Sequence, residues 1–294
     1  MYLSYSGWKT YSKCARMYWF MYILKPLLET PDNRVNTLYG HIVGRLFELF
    51  YNERIWNTKG VEAQLLARVQ ESYDIAVRKE TKDGVILWKG DDKKALWPSP
   101  EALLDDVRET VPRGLRIIRH HRLLGADAAA EVKLDHYVKG HLIGGRCDII
   151  MRRIAPHHDL ILLDGKGSRH RDKYVEARQL KWYAMLYRMK HGHMPDRLGF
   201  VFWRYEPDES VDWVDTSLNE LDELQGSVLT SISEIESAKL QVEADPSSAR
   251  QAFPAHPGSE CKLCAYFELC PEGKNFASLT PPVHQGTGVD DVGL

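Results

Sequence analysis

The chain is short of cysteine, with five in 294 residues, has almost no net charge at −2, shows no internal repeat, and has no apolar run near the roughly 18 residues of a membrane span. Each shortage excludes something. Balanced charge leaves no overall electrostatic footprint for a polyanion, so nucleic-acid binding would have to come from local asymmetry. The longest apolar stretch near the start, Met17 to Leu24, follows Lys9, Lys13 and Arg16 and lacks a small-residue cleavage pattern. No signal peptide and no membrane association are therefore expected, and the expected location is the reducing cytoplasm. There, so few cysteines serve as metal ligands or buried thiols rather than disulfides. Gly165-Lys166-Gly167-Ser168 lacks the upstream glycine of a phosphate-binding loop, which excludes an ATP motor.

What is present is a chain 44% hydrophobic, enough for one large domain with an insertion. Helical periodicity predicts helices over about 38–56, 61–79 and 174–190, and a long one after the capping pair Ser217 and Glu220. Ser99-Pro100 predicts another near 100–110. Strand patterns cover 131–139, 141–153, 160–166, 198–203 and, more weakly, 211–214. The end, from about 277 to 294, is rich in Gly, Pro and Thr and reads as a disordered tail.

Asp148 and Asp164 each close an apolar strand, and the midpoint between them is Pro156, inside the predicted turn. A hairpin folded there sets the two acids nearly opposite, roughly 5 Å apart, close enough to share a divalent cation. Lys166, two residues on, shares their face. Taken singly, each could be a turn former or its surface partner. Gln179 and Tyr183, four apart, share one face of the following helix. His41 lies on the inward shoulder of an early helix, a place where a core histidine is also at home. From 164 to 204 ten Lys/Arg face four acids, a local charge of +6.

Cys261, Cys264 and Cys270 fall within ten residues, and Cys14 is the partner near the other end. Four thiolates suit zinc or an iron–sulphur cluster, and spacing alone leaves the two open. Either would tie the two ends, a closure worth about 4–5 kcal/mol by loop entropy. Cys147, on the face opposite Asp148, is expected to be buried.

In this order the motifs resemble the PD-(D/E)XK nuclease superfamily, and within it the RecB-like branch with an iron–sulphur staple, which includes the CRISPR adaptation nucleases and AddB-type nuclease domains. The elements are Ser4-Tyr5-Ser6, Cys14, His41, Gly145 to Asp148, Asp164-x-Lys166, Gln179-x3-Tyr183 and the cysteine trio. Asp164 replaces a more usual Glu, Ala15 follows the first cysteine where Pro is common, and residues 56 to 130 exceed a minimal core. The resemblance implies an α/β, restriction-endonuclease-like core: a mixed sheet flanked by helices. It implies one domain over 1–276, with a helical insertion at 56–130 and cluster-binding segments at 1–25 and 255–272. His41, Asp148, Asp164 and the Gly165 carbonyl would hold Mg2+ or Mn2+, Lys166 would position the water, and Gln179 and Tyr183 would orient the site. Cys14, Cys261, Cys264 and Cys270 would hold a 4Fe-4S cluster, with Zn2+ as the alternative. The basic 166 to 204 region would track the phosphates of a DNA substrate, with exonuclease action on single-stranded ends and a helicase or recombination partner possible. The other readings are a non-catalytic DNA-binding protein of the same fold and a structure-specific endonuclease.

Overall fold

A computed structural model describes residues 1–26, 35–80, 97–168, 171 and 175–279. Where one domain is expected, the chain divides into two compact units. Unit 1 takes Met1–Tyr5 and Thr30–Leu229, and unit 2 takes Ser6–Glu29 and Thr230–Leu294.

In unit 1, β1 (Tyr2–Ser4) precedes α3 (Val35–Asn52), α4 (Val61–Ala67), α5 (Val69–Glu80) and α6 (Pro100–His120). Next come β2 (Ala129–Val138), β3 (His141–Arg152), β4 (Leu160–Lys166), α7 (Ala177–His191), β5 (Arg197–Phe202) and β6 (Val211–Val214). The strands form one mixed six-stranded sheet in the order β1-β3-β4-β5-β6, with β2 on the other edge of β3. One face carries Ile149, Met151, Ile161, Leu163, Val201 and Trp203 into a core with α3, α5 and α6. The alternate residues Ile150, Leu162, Phe200 and Phe202 are buried on the other face, which α7 covers.

The helices differ from expectation in two places. The segment 61–79 is two helices, broken at Arg68, and α6 runs ten residues further, through Pro112, to His120. A proline inside a helix removes one hydrogen bond, but the buried stripe Leu103, Val107, Val111, Leu115 and Ile118 spans it and offsets that loss. Part of the expected insertion, residues 81–96, lies outside the described residues.

Unit 2 contains Ser6–Lys13 of α1 (Tyr5–Lys13), α2 (Ala15–Tyr18), the later part of α8 (Leu218–Ala244), α9 (Ala249–Ala252) and α10 (Pro271–Leu279). α10 covers the first residues of the expected tail; 280–294 lie outside the described residues. Arg16, 2% exposed, joins the two sequence segments. Its Nε donates to the Phe253 carbonyl (2.8 Å), its Nη2 to the Arg250 carbonyl (2.7 Å), and its Nη1 lies 3.4 Å from Glu272. No sequence pattern marked this anchor. A buried guanidinium survives because carbonyls and a carboxylate take up its donors.

Candidate active site

The hairpin register places Ile149 opposite Leu163 and Arg152 opposite Leu160, centred on Pro156 as the sequence predicts. One step further would pair Asp148 with Asp164, but the ladder stops. β3 shares this edge between two strands. β1 pairs with Leu142–Gly144 and β4 with Ile149–Arg152, so among the described strands none pairs with 145–148 on this edge. The site stands in this gap. Asp148 fills it with its side chain, as Oδ2 accepts the Gly165 N–H at 2.8 Å. In a strand the N–H and C=O of one residue point to the same side, so the Gly165 carbonyl also faces the gap.

The gap coincides with a switch in side-chain alternation. Gly145 faces α7, where a Cβ would stand 3.0 Å from Tyr183 Cε1, yet Ile149, of the same parity, enters the core on the opposite face. Across the ladder, Glu131 holds a left-handed φ of 55°, while Ala130 pairs with Ile149 and Val132 with Cys147. The glycine of the Gly-x-x-Asp motif is thus explained by the room it leaves for the Tyr183 ring. Gly165 is similarly confined, since a Cβ there would lie 2.9 Å from Trp203 Nε1.

Asp164 is 2% exposed, and Lys166 Nζ lies 2.5 Å from its Oδ2. Burial raises the Asp164 pKa, and the Lys166 ammonium opposes that rise. Burial, then the charge of Asp164, pushes Asp148 well above the ordinary carboxylate value, with the Gly165 N–H pulling the other way. From α7, Gln179 Nε2 donates to the Tyr183 hydroxyl at 3.0 Å. Burial raises the Tyr183 pKa, and the charges of Asp164 and Asp148 add to the rise. Cys147 is fully buried behind the acids.

The gap therefore gathers Asp148, Asp164, Gly165, Lys166, Gln179 and Tyr183. His41, on α3, is not drawn into contact with the acids; its Nδ1 lies 2.8 Å from Glu80 Oε1, whose other oxygen accepts from Thr37 Oγ1 at 3.0 Å. Burial lowers the His41 pKa and Glu80 counteracts it. A neutral ring with Nδ1 beside Glu80 keeps Nε2 as its second nitrogen. Among the described residues no three His, Cys, Asp or Glu side chains stand close enough to hold one ion. Glu131 is a residue that sequence reading missed. It occupies the position opposite Asp148, and both Asp148 and His41 feel its charge. Only the β2–β3 register could have revealed it.

Among the described residues of the expected basic phosphate track, four cations are held in ion pairs. Arg171 pairs with Asp212, Lys181 with Glu220, Arg188 with Asp222, and Arg204, 6% exposed, with Asp106. Arg197 stacks on Trp213 at 3.7 Å.

In unit 2, Cys14, Cys261, Cys264 and Cys270 line one pocket with Met17, Phe20, Tyr266 and Phe267. Backbone N–H groups of His256 and Gly258 point at Cys14 Sγ (3.5 Å) and Cys261 Sγ (3.3 Å). Gly273 is packed against them, since a Cβ there would stand 3.6 Å from Cys270 Sγ and 3.7 Å from Cys261 Sγ.

A mixed sheet flanked by helices, with two acids and a lysine at a gap between strands, makes this an α/β protein with a polar site at the sheet's centre. Residues 2–271 match the model of the PD-(D/E)XK nuclease superfamily, and the chain belongs to that family. Among solved structures, a "Putative exonuclease" from Eubacterium rectale is similar at 14% identity and TM-score 0.43, over 96% of this chain and 90% of that one. The protein SSO0001 is similar at 14% identity and TM-score 0.33, over 88% and 95%. Likenesses this distant say nothing of activity. No curated protein matches the chain in sequence. Among the described residues no helix is long and apolar enough to cross a membrane.

Proposed function

We propose that this nuclease is a metal-dependent DNA exonuclease acting on single-stranded ends during recombination, repair or other DNA processing. The strand gap supports this reading best, because it puts Asp148 and buried Asp164 together beside Lys166, with Gln179 and Tyr183 overhead. The residues suit a hard divalent cation: two carboxyls held partly out of water keep a raised pKa even with the Lys166 charge acting on both, so further positive charge stabilises them. Mg2+ or Mn2+ would be held by Asp148, Asp164 and the Gly165 carbonyl, with His41 directed to Glu80 instead; when bound it supplies an acidified water and neutralises charge on the phosphate.

The other roles fall to the chain's own groups. Lys166 keeps Asp164 ionised and places a cation beside the attacking water. Tyr183 accepts from Gln179, so its own O–H is left to donate toward a phosphate oxygen, and its raised pKa keeps that proton in place. With end-labelled DNA and Mg2+ or Mn2+, wild type should shorten single strands and Asp164→Ala should lose about 10³-fold in rate. Equal rates would overturn the reading.

The same proposal places a 4Fe-4S cluster, with zinc as the alternative, on Cys14, Cys261, Cys264 and Cys270. What supports the reading is that the four cysteines line one pocket with two N–H groups aimed at sulphur, while no three of them stand close enough to hold a single ion in this arrangement. Protein purified without oxygen should absorb at roughly 400 nm, and Cys264→Ser should weaken that band. A colourless protein carrying one zinc would replace the cluster by the alternative.

A further inference from the structure

We propose that a single DNA strand approaches the acids along the open face of the β1–β2–β3 ribbon, with Tyr2 and Tyr137 as its base-stacking platform. The identity of the occupant rests on the nuclease reading above; the platform rests on strand register. Leu142 of β3 pairs with Tyr2 on one side and Tyr137 on the other, so all three point to one face. Two residues along, the same face carries Ser4, Gly144 and Asp135, and two further along it carries Lys133 and Arg146. Beyond Arg146 the alternation switches, so this face ends with that row, next to the gap that Asp148 fills. This face is the one turned away from α7, because Gly145, of the opposite parity, meets Tyr183. The row from Leu142 to Arg146 is about 13 Å long at roughly 3.3 Å per residue, enough for about four stacked nucleotides.

The surface has the composition of a strand-binding track. Tyr2 and Tyr137 are 52% and 72% exposed, large rings that a folded core would normally recruit. Gly144 makes room for the Tyr2 ring, which would meet a Cβ there at 2.8 Å. The cations further along are paired, Lys133 with Asp135 (2.7 Å) and Arg146 with Glu131 (3.4 Å), but their side chains are 70% and 63% exposed. Such exposed pairs are weak enough for a phosphate to displace the carboxylate, unlike buried Arg204–Asp106. Net charge on the track is close to zero, so stacking, which tolerates any base, carries most of the affinity.

The test is fluorescence anisotropy of a labelled oligothymidylate without divalent cation, so that no cleavage intervenes. Tyr137→Ala and Tyr2→Ala should each weaken binding about tenfold, and Tyr137→Phe should bind within about twofold of wild type. Arg146→Ala should reduce the salt slope by about one. Unchanged affinity in both alanine variants overturns the proposal, and so does equal weakening in Tyr137→Phe and Tyr137→Ala, which would mean a hydroxyl contact instead of stacking. Circular dichroism checks that exposed Tyr137 variants stay folded. Binding and hydrolysis are read separately. Failure of wild type to cleave would remove the nuclease reading, while the anisotropy still decides the platform.

Discussion

Lys166→Ala should abolish DNA hydrolysis, by at least about 10³-fold, while leaving the fold intact. Two losses coincide in that variant. The cation beside the attacking water disappears. The Asp164 carboxyl also loses its counter-charge: burial raises its pKa, and the ammonium 2.5 Å away, by charge and by hydrogen bond, holds that rise down. Without Lys166, burial acts unopposed and a larger share of Asp164 is protonated at neutral pH, where a neutral acid is a poor cation ligand. Residual activity in the variant should therefore increase with pH more steeply than in wild type. Rates on end-labelled DNA across pH, with circular dichroism as the folding control, check both parts. Near-normal cleavage at neutral pH would sink the assignment of Lys166.

Asp148→Asn should give the opposite signature, a metal-free protein more thermostable than wild type at neutral pH and almost inactive. Burial and the charge of Asp164 lift the Asp148 pKa well above its ordinary 3.8. For a carboxyl raised on folding, the stability it contributes is complete below the unfolded value and is lost as pH rises through the folded one. As pH rises from the unfolded value toward neutrality, wild type therefore progressively loses that stability, whereas the variant has no such loss at this position. The asparagine oxygen can still accept the Gly165 N–H, so the gap stays closed. Divalent cation should raise the melting temperature of wild type and leave the variant nearly unmoved, because only the folded wild type gains a ligand. Thermal melts in chelator and in Mg2+, between about pH 4 and 8, test this. A variant that melts no higher than wild type in chelator at neutral pH would show that the pair is not under electrostatic stress.

Much of the catalytic hairpin was legible because its determinants are local. Two apolar runs flank a turn centred on Pro156, and that alone fixes the register that carries Asp148 to the Gly165 amide. Gln179 and Tyr183 were legible for the same reason, as helical spacing places them in hydrogen-bond contact. What stayed hidden was non-local. A three-residue strand such as β1 has no periodicity, yet it occupies one end of an edge of β3 and bounds the gap. Glu80 and Glu131 acquire meaning only through a helix end beside His41 and a ladder position opposite Asp148. The pairing of Arg171, Lys181, Arg188 and Arg204 was equally hidden, because their counter-ions, Asp212, Glu220, Asp222 and Asp106, come from outside the 164–204 stretch.

Arg16 has a bearing on biosynthesis. Its carbonyl partners at Arg250 and Phe253, like the cysteines that share a pocket with Cys14, are translated some 230 to 260 residues later. At about 5–20 residues per second the first segment waits roughly 12–50 s on the ribosome before its partners exist. During that interval its guanidinium and thiol must remain hydrated, so unit 2 can close only after unit 1 has been synthesised.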